Sequence, residues 1–410
     1  MLVPSLAVAE QPWLDRSPAP PIEIAHPSVE VSAKAGKGVT VTTESFSLNL
    51  RARAQLRFQI HAAQPDAGER EYDESSQVGG LRVWLSGHTI SPKLLYNLQL
   101  GFADRDHRDG TISPVLDAFI DYKAHRDLNV RAGQFFVPFD RLRTVREFAL
   151  QMTERPRPVN ELTLDRDIGV IVYSDHFLGD RSILAWRAGV FGGNGINKST
   201  ASELGYMPVA RLELRPLGTI DDDVEGDHQR RHKPGLALGV GAAANFHTNR
   251  VRSTSGGTFQ TGTTSYRHLA ADAVFKWLGV AVELEYLWRG ATKKEFSGDV
   301  DGATVTDFAR QGSGWVAQAS YTFDPPFELV GRLSRLHAPD QTDPKYTTEV
   351  ATLGKEYGFG ANYYFNDHQF KLQADWIART GSERPTFDHA VHLQLDVTFY
   401  PHAGTVPSSN

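Results

Sequence analysis

From Phe46 to His61 the chain reads FSLNLRARAQLRFQIH, and apolar and polar residues alternate without a break. Phe46, Leu48, Leu50, Ala52, Ala54, Leu56, Phe58 and Ile60 share one parity, while Ser47, Asn49, Arg51, Arg53, Gln55, Arg57, Gln59 and His61 share the other. Successive side chains of a strand point to opposite faces, so this period of two predicts one long β-strand. Strands of globular proteins usually run about 5–6 residues, and this one is too long for a typical sandwich. The pattern recurs, less cleanly, near 81–89, 94–103, 115–122, 128–135, 167–174, 183–191, 208–215 and 236–247. It continues near 267–277, 279–289, 314–323, 327–336, 356–366, 369–377 and 389–400, which makes sixteen strands, an even count.

The connections alternate as well. Long segments fall at 62–80, 104–114, 136–166, 192–207, 248–266, 290–313, 337–355 and 378–388. Between them lie tight links such as Ser91-Pro92-Lys93, Leu278-Gly279 and Asn366-Asp367-His368. Long loops on one side and short turns on the other are the habit of transmembrane β-barrels. The link from Pro216 to Pro234 breaks the rhythm, and its DDDVEGDHQRRHK core reads as a solvated insertion. Trp and Tyr concentrate near strand ends, among them Trp84, Tyr96, Trp277, Trp315 and Trp376, as expected of aromatic girdles at headgroup level. The fold class is therefore all-β: an antiparallel transmembrane barrel of about 16 strands spanning 45–400. Residues 1–9 resemble the remnant of a secretory signal, 10–44 a proline-rich flexible extension, and 401–410 a polar tail.

Composition narrows the function. No cysteine is present, which excludes a disulfide scaffold, a thiolate metal site and a cysteine nucleophile. No run approaches the roughly 18 consecutive apolar residues of a membrane helix, and a barrel hides in such an average because lipid-facing and lumen-facing residues alternate. A net charge of -6 gives no case for nucleic acid as a partner. There is no G-x-S-x-G and no H-E-x-x-H, and the fifteen His show no metal-ligand spacing. Asp299-Val300-Asp301-Gly302 is similar to the start of a calcium loop, but the remaining spacing fails. Neither enzyme, cofactor nor metal is expected.

Parity then sorts the charges. If Leu48, Leu50 and Leu56 meet outer-membrane lipid, Arg51, Arg53 and Arg57 must face the lumen, since an arginine on the lipid face costs about 2–4 kcal/mol at mid-bilayer. The three form a cationic track whose forked donors suit phosphate or carboxylate; pairing with wall acids such as Asp396 and Asp375 is the alternative. Further inward basic candidates are Arg82, Arg131, Arg187, Arg211, Arg332 and Lys371. The segment 136–166 is the longest loop, and Asp140 to Arg157 suggests a partly helical insert that narrows the pore. It carries Arg141, Arg143, Arg146 and Arg155 with Glu147.

The motif Arg131-Ala132-Gly133-Gln134-Phe135-Phe136-Val137-Pro138-Phe139 resembles the phosphate-selective porin O and P family, in which a GQFKVPF-like strand end runs into the constricting loop. RDIGV at 166–170, AGVFGGNG at 188–195, and the run from Tyr357 to Asp375 are similar to the family's later strands, in order. The resemblance spans roughly 40–400. It implies a 16-stranded outer-membrane porin, usually a homotrimer, passing anions and in some members phosphate. The family's lysine after GQF falls here on Phe136, which removes a cation from the constriction. The expectation is a passive bacterial outer-membrane channel for small hydrophilic solutes, preferring small anions. A surface-binding or scaffold barrel with little conduction is the alternative.

Overall fold

The long first strand needs a partner on each edge, and the chain supplies both. In the computed structural model the described residues are 29–399, except 35, 66–67, 108–112, 178, 180–182, 199–204, 222, 325–326 and 385. The expected signal remnant and polar tail lie outside them. A hairpin of β1 (Glu30–Lys34) and β2 (Gly38–Thr42) comes first. The barrel starts with β3 (Ser47–Ala63), β4 (Glu71–Thr89), β5 (Ser91–Gly101), β6 (Val115–His125) and β7 (Leu128–Phe136). After the short helices α1 (Arg141–Thr144) and α2 (Arg157–Leu162) come β8 (Arg166–Phe177), β9 (Leu184–Phe191) and β10 (Met207–Leu214). Then follow β11 (Gly235–Thr248), β12 (Thr264–Trp277), β13 (Val280–Ala291), and an outlying hairpin of β14 (Glu295–Val300) and β15 (Ala303–Phe308). The chain ends with β16 (Gly312–Thr322), β17 (Phe327–His337), helix α3 (Pro344–Leu353), β18 (Lys355–Asn366), β19 (Phe370–Thr380) and β20 (Asp388–Phe399).

Among the described residues, sixteen strands, β3–β13 and β16–β20, pair antiparallel with their sequence neighbours. β20 closes the barrel on β3, from His389↔Ala62 to Phe399↔Ala52. Below Ala52 the edge of β3 is taken over by β2, from Val39↔Leu50 to Thr42↔Ser47, so it is not left open. Residues 30–42, expected within a flexible extension, are thus a paired hairpin. None of the described helices is long and apolar enough to cross a membrane.

The distribution of side chains is inside out. Leu56 and Phe58 are 52% and 41% exposed, whereas their neighbours Arg53 and Arg57 are 7% and 6% exposed. That is the parity expected of lipid outside and a polar interior. Two strand segments escaped the pattern. β4 begins at Glu71, ten residues before the expected 81, because 71–78 is exposed and polar on both faces; above a membrane the outer face meets water and loses its apolar signal. The β14–β15 hairpin lies within the segment 290–313 expected as a long loop and pairs outside the barrel sheet. Trp84, expected in a girdle, pairs with Arg51 on the inner face and packs on Phe148.

Candidate functional site

At Phe136 the chain leaves the wall and folds into the lumen. A backbone crossing a barrel needs partners for its N–H and C=O groups, and inward side chains provide them. Lys371 Nζ and Gln373 Nε2 donate to the Leu150 carbonyl at 2.8 and 3.0 Å, and Asn362 Nδ2 donates to Gln151 O at 2.9 Å. Arg57 donates to Thr153 O and Arg332 to Glu154 O, both at 2.7 Å. In return the N–H groups of Gln151 and Thr153 donate to Glu225 at 2.7 Å and to Asp375 at 2.6 Å. The first turn of α1 docks on the wall because the N–H groups of Arg141 and Leu142 donate to Glu285 at 3.1 and 2.9 Å. Phe139, Leu142, Val159, Leu162 and Leu164 bury against Ile171, Leu287, Val316 and Leu336 of the wall. The loop is helical in part, as expected, and pinned across 137–165.

Ion pairs complete the docking. Arg82 and Arg105 both pair with Glu147, which, against the cost of burial, is held well below the usual carboxylate range by Arg105 and Arg82. Burial is likewise outweighed at Glu154, where Arg379, His392 and Arg57 hold the pKa to about 2. Arg155 donates to the carbonyls of Leu142 and Val145 within its own loop; burial, then Arg143, brings its pKa down to about 9.

The structure divides the sequence-predicted residues into two sets. The first is covered by the loop. Arg53 pairs with Asp396 and lies under the Phe148 ring, its guanidinium carbon 4.3 Å from the centroid. Arg57 donates to Gln394 as well as to the loop, Arg82 pairs with Asp106 and Glu147, and Arg332 pairs with Glu356 at 3.0 Å. With Lys371 on Leu150, these residues anchor the insert. Arg51, beside them, is half-buried. The expected open track of Arg51, Arg53 and Arg57 is therefore not formed: the wall acid Asp396 takes Arg53, and the inserted segment takes Arg57.

The second set surrounds a cavity on the other side of the loop. This cavity, of about 420 Å³, is lined by Arg131, Arg187 and Arg211 from the wall and by Phe136, Arg141 and Arg146 from the loop side. Asp175, Glu213 and Asp223 are its acids. Arg131 pairs with Asp121 and stacks on Phe119, Arg146 pairs with Asp117, Arg187 with Asp175, Arg211 with Asp272, and Arg141 with Glu283. Phe136 is surrounded by the guanidinium groups of Arg166, Arg143 and Arg146, at 3.8, 5.4 and 5.6 Å from its ring centroid. Arg143 itself pairs with Asp165.

Sequence reasoning missed the contribution of the 215–234 link. It is not a wholly solvated insertion: Asp223 and Val224 line the cavity, Val224 O accepts from Arg141 and Lys276, and buried Glu225 accepts from Gln318 and Gln151. The calcium-like Asp299–Gly302 is a hairpin turn, with Asp301 and Gly302 at positive φ and Asp299 accepting from the Gly302 N–H at 3.0 Å.

A profile of the family described as phosphate-selective porin O and P matches residues 53–399. A comparison with curated proteins gave no match. Among solved structures, OmpF of Salmonella typhi, in complex with daunomycin, is similar with a TM-score of 0.55 at 13% identity, covering 90% of this chain and 100% of that one. The outer membrane channel DcaP of Acinetobacter baumannii gives 0.52 at 12% identity, over 87% and 98% of the two chains. An anion-selective porin from Comamonas acidovorans gives 0.52 at 11% identity, over 86% and 100%. At these identities the likeness is one of fold.

Proposed function

The chain belongs to the phosphate-selective porin O and P family and is an outer-membrane porin; on that premise we propose that it passes small hydrophilic solutes passively and prefers anions. The observation that carries this reading is the lining of the cavity, where Arg131 and Arg146 present guanidinium groups 28% and 34% exposed while the carboxylates they pair with, Asp121 and Asp117, are buried. Exposed guanidinium forks suit carboxylate or phosphate. The Comamonas relative in fold is itself anion-selective. Phosphate receives no lysine here, because Phe136 occupies that place, so the preference is for small anions as a class. The short-turn rim, where the barrel starts and ends, faces the periplasm in this reading. Trimers would meet on the outer face of β10–β13, where Ala210, Ala242 and Ala244 leave a hollow beside Leu269 and Trp288.

Ion selectivity tests the proposal. Arg131, Arg146 and Arg187 are the cavity arginines most open to water, with side chains 28%, 34% and 25% exposed. Replacing all three with Gln should shift the reversal potential in a potassium chloride gradient toward cation preference, most at low ionic strength. Arg51→Gln, on the covered side, should leave it unchanged. An assembled triple variant with wild-type ion preference at low salt would refute the assignment.

A further inference from the structure

Three side chains from two segments far apart in sequence meet at the short-turn rim, beneath the inserted loop. His228 belongs to the 215–234 link, and Asp367 and His368 form the turn between β18 and β19. One ligand-capable atom from each lies within 4.8 Å of the others. The histidines stand edge to face, with ring centroids 4.4 Å apart, and Tyr364 packs against both.

Their hydrogen bonding is incomplete in a particular way. His368 Nδ1 lies 3.1 Å from the Phe148 carbonyl, which can only accept, so Nδ1 carries the ring proton and Nε2 presents its lone pair. That Nε2 is buried and has no hydrogen-bond partner among the described residues, and His368 as a whole is 8% exposed. Neither ring nitrogen of His228 has a partner either. Buried polar atoms are normally satisfied, and here each of the two neighbouring imidazoles keeps at least one nitrogen without a hydrogen-bond partner. A carbonyl holding Nδ1–H, which leaves Nε2 unprotonated and unpartnered, is the arrangement that orients metal-binding histidines. Burial also lowers the pKa of both rings, keeping them in the neutral form that ligates.

We propose that His228, Asp367 and His368 form a binding site for a divalent transition-metal ion of the zinc class. Two imidazoles and a carboxylate suit zinc, cobalt or nickel over calcium and magnesium, which prefer oxygen-only ligands. Zinc bonds of about 2.0–2.2 Å place tetrahedral ligands about 3.4 Å apart, and the exposed Asp367 has room to rotate the short distance required. A cavity of about 400 Å³, lined by His228, Asp367 and His368 together with Asp221 and Lys276, adjoins the three side chains. Once bound, the ion ties the link to the β18–β19 turn and, through the Phe148 carbonyl, to the constricting loop. The site stands independently of the ion preference argued above.

The test uses tag-free folded protein in detergent, stripped with chelator and titrated with zinc by calorimetry and with cobalt by visible absorption. One zinc ion per chain should bind with a Kd at or below about 10 μM, and cobalt should give visible d–d bands. His228→Ala should weaken binding by about 100-fold or more, and Asp367→Asn by at least about 10-fold, on the scale by which ligand-shell changes act. His337→Ala, at an exposed strand end, should change nothing. The folded state of each variant is checked by its heat-modifiable mobility on gels. Absence of a bound ion in the wild type, or wild-type affinity in folded His228→Ala, would overturn the site and leave the histidines as a packed aromatic cluster.

Discussion

Phe136 replaces a lysine that the family resemblance places at the constriction, yet the position is not poor in positive charge. Three guanidinium groups converge on its ring from Arg166, Arg143 and Arg146. Each cation–π contact is worth about 0.5–2 kcal/mol depending on desolvation, so the phenyl ring holds together arginines that would otherwise repel. Phe136→Leu should therefore lower the barrel's unfolding free energy by about 1–2 kcal/mol, read by urea unfolding in micelles. Phe136→Lys, which adds a fourth cation, should cost more; equal stability of that variant and the wild type would contradict the account. The alternation of the first strand showed which arginines point inward. It could not show which of them the loop covers, because the loop partners are remote: Thr153, whose carbonyl takes Arg57, lies 96 positions away. Distance in sequence likewise hides His228 from Asp367 and His368, so no ligand spacing was visible among the fifteen His.

The inserted segment behaves as one element because wall side chains hold its carbonyls while arginines hold its carboxylates. Its length and charge made the insertion legible in the sequence, whereas its path depended on which inward side chains, such as Lys371, Asn362, Asp375 and Glu285, meet its backbone, a choice made by remote strands. The carboxylates set a pH window. Glu154 has its pKa depressed from 4.5 to about 2, and Glu147 is depressed further in the same direction. A depressed acid contributes stability that is fully present above its ordinary value and is lost as pH falls through the folded one. The loop should thus stay docked above about pH 5 and loosen between about pH 4.5 and 2. Single-channel records should show steady conductance at neutral pH and new substates at about pH 3. Glu154→Gln should show such substates already at neutral pH; quiet records from both would mean that these pairs do not hold the loop.

At the scale of the molecule, period-two alternation and the long-short rhythm of connections were enough to anticipate a sixteen-strand barrel, because both follow from lipid outside and water inside. What they could not convey was the filling of the interior. One half of the lumen is closed by the loop and its anchors, Arg53, Arg57, Arg332 and Lys371. The other half keeps a cavity between the loop and β6–β10. The central claim is that solutes cross on that second side, and a chain without cysteine offers a direct measurement. Single cysteines at Thr144, which lines the cavity, and at Gln55, on the covered side, can be challenged with a negatively charged thiol reagent during planar-bilayer recording. Thr144→Cys channels should lose conductance on modification while Gln55→Cys channels keep theirs; block at Gln55→Cys with no effect at Thr144→Cys, or a barrel that never conducts, would contradict the account.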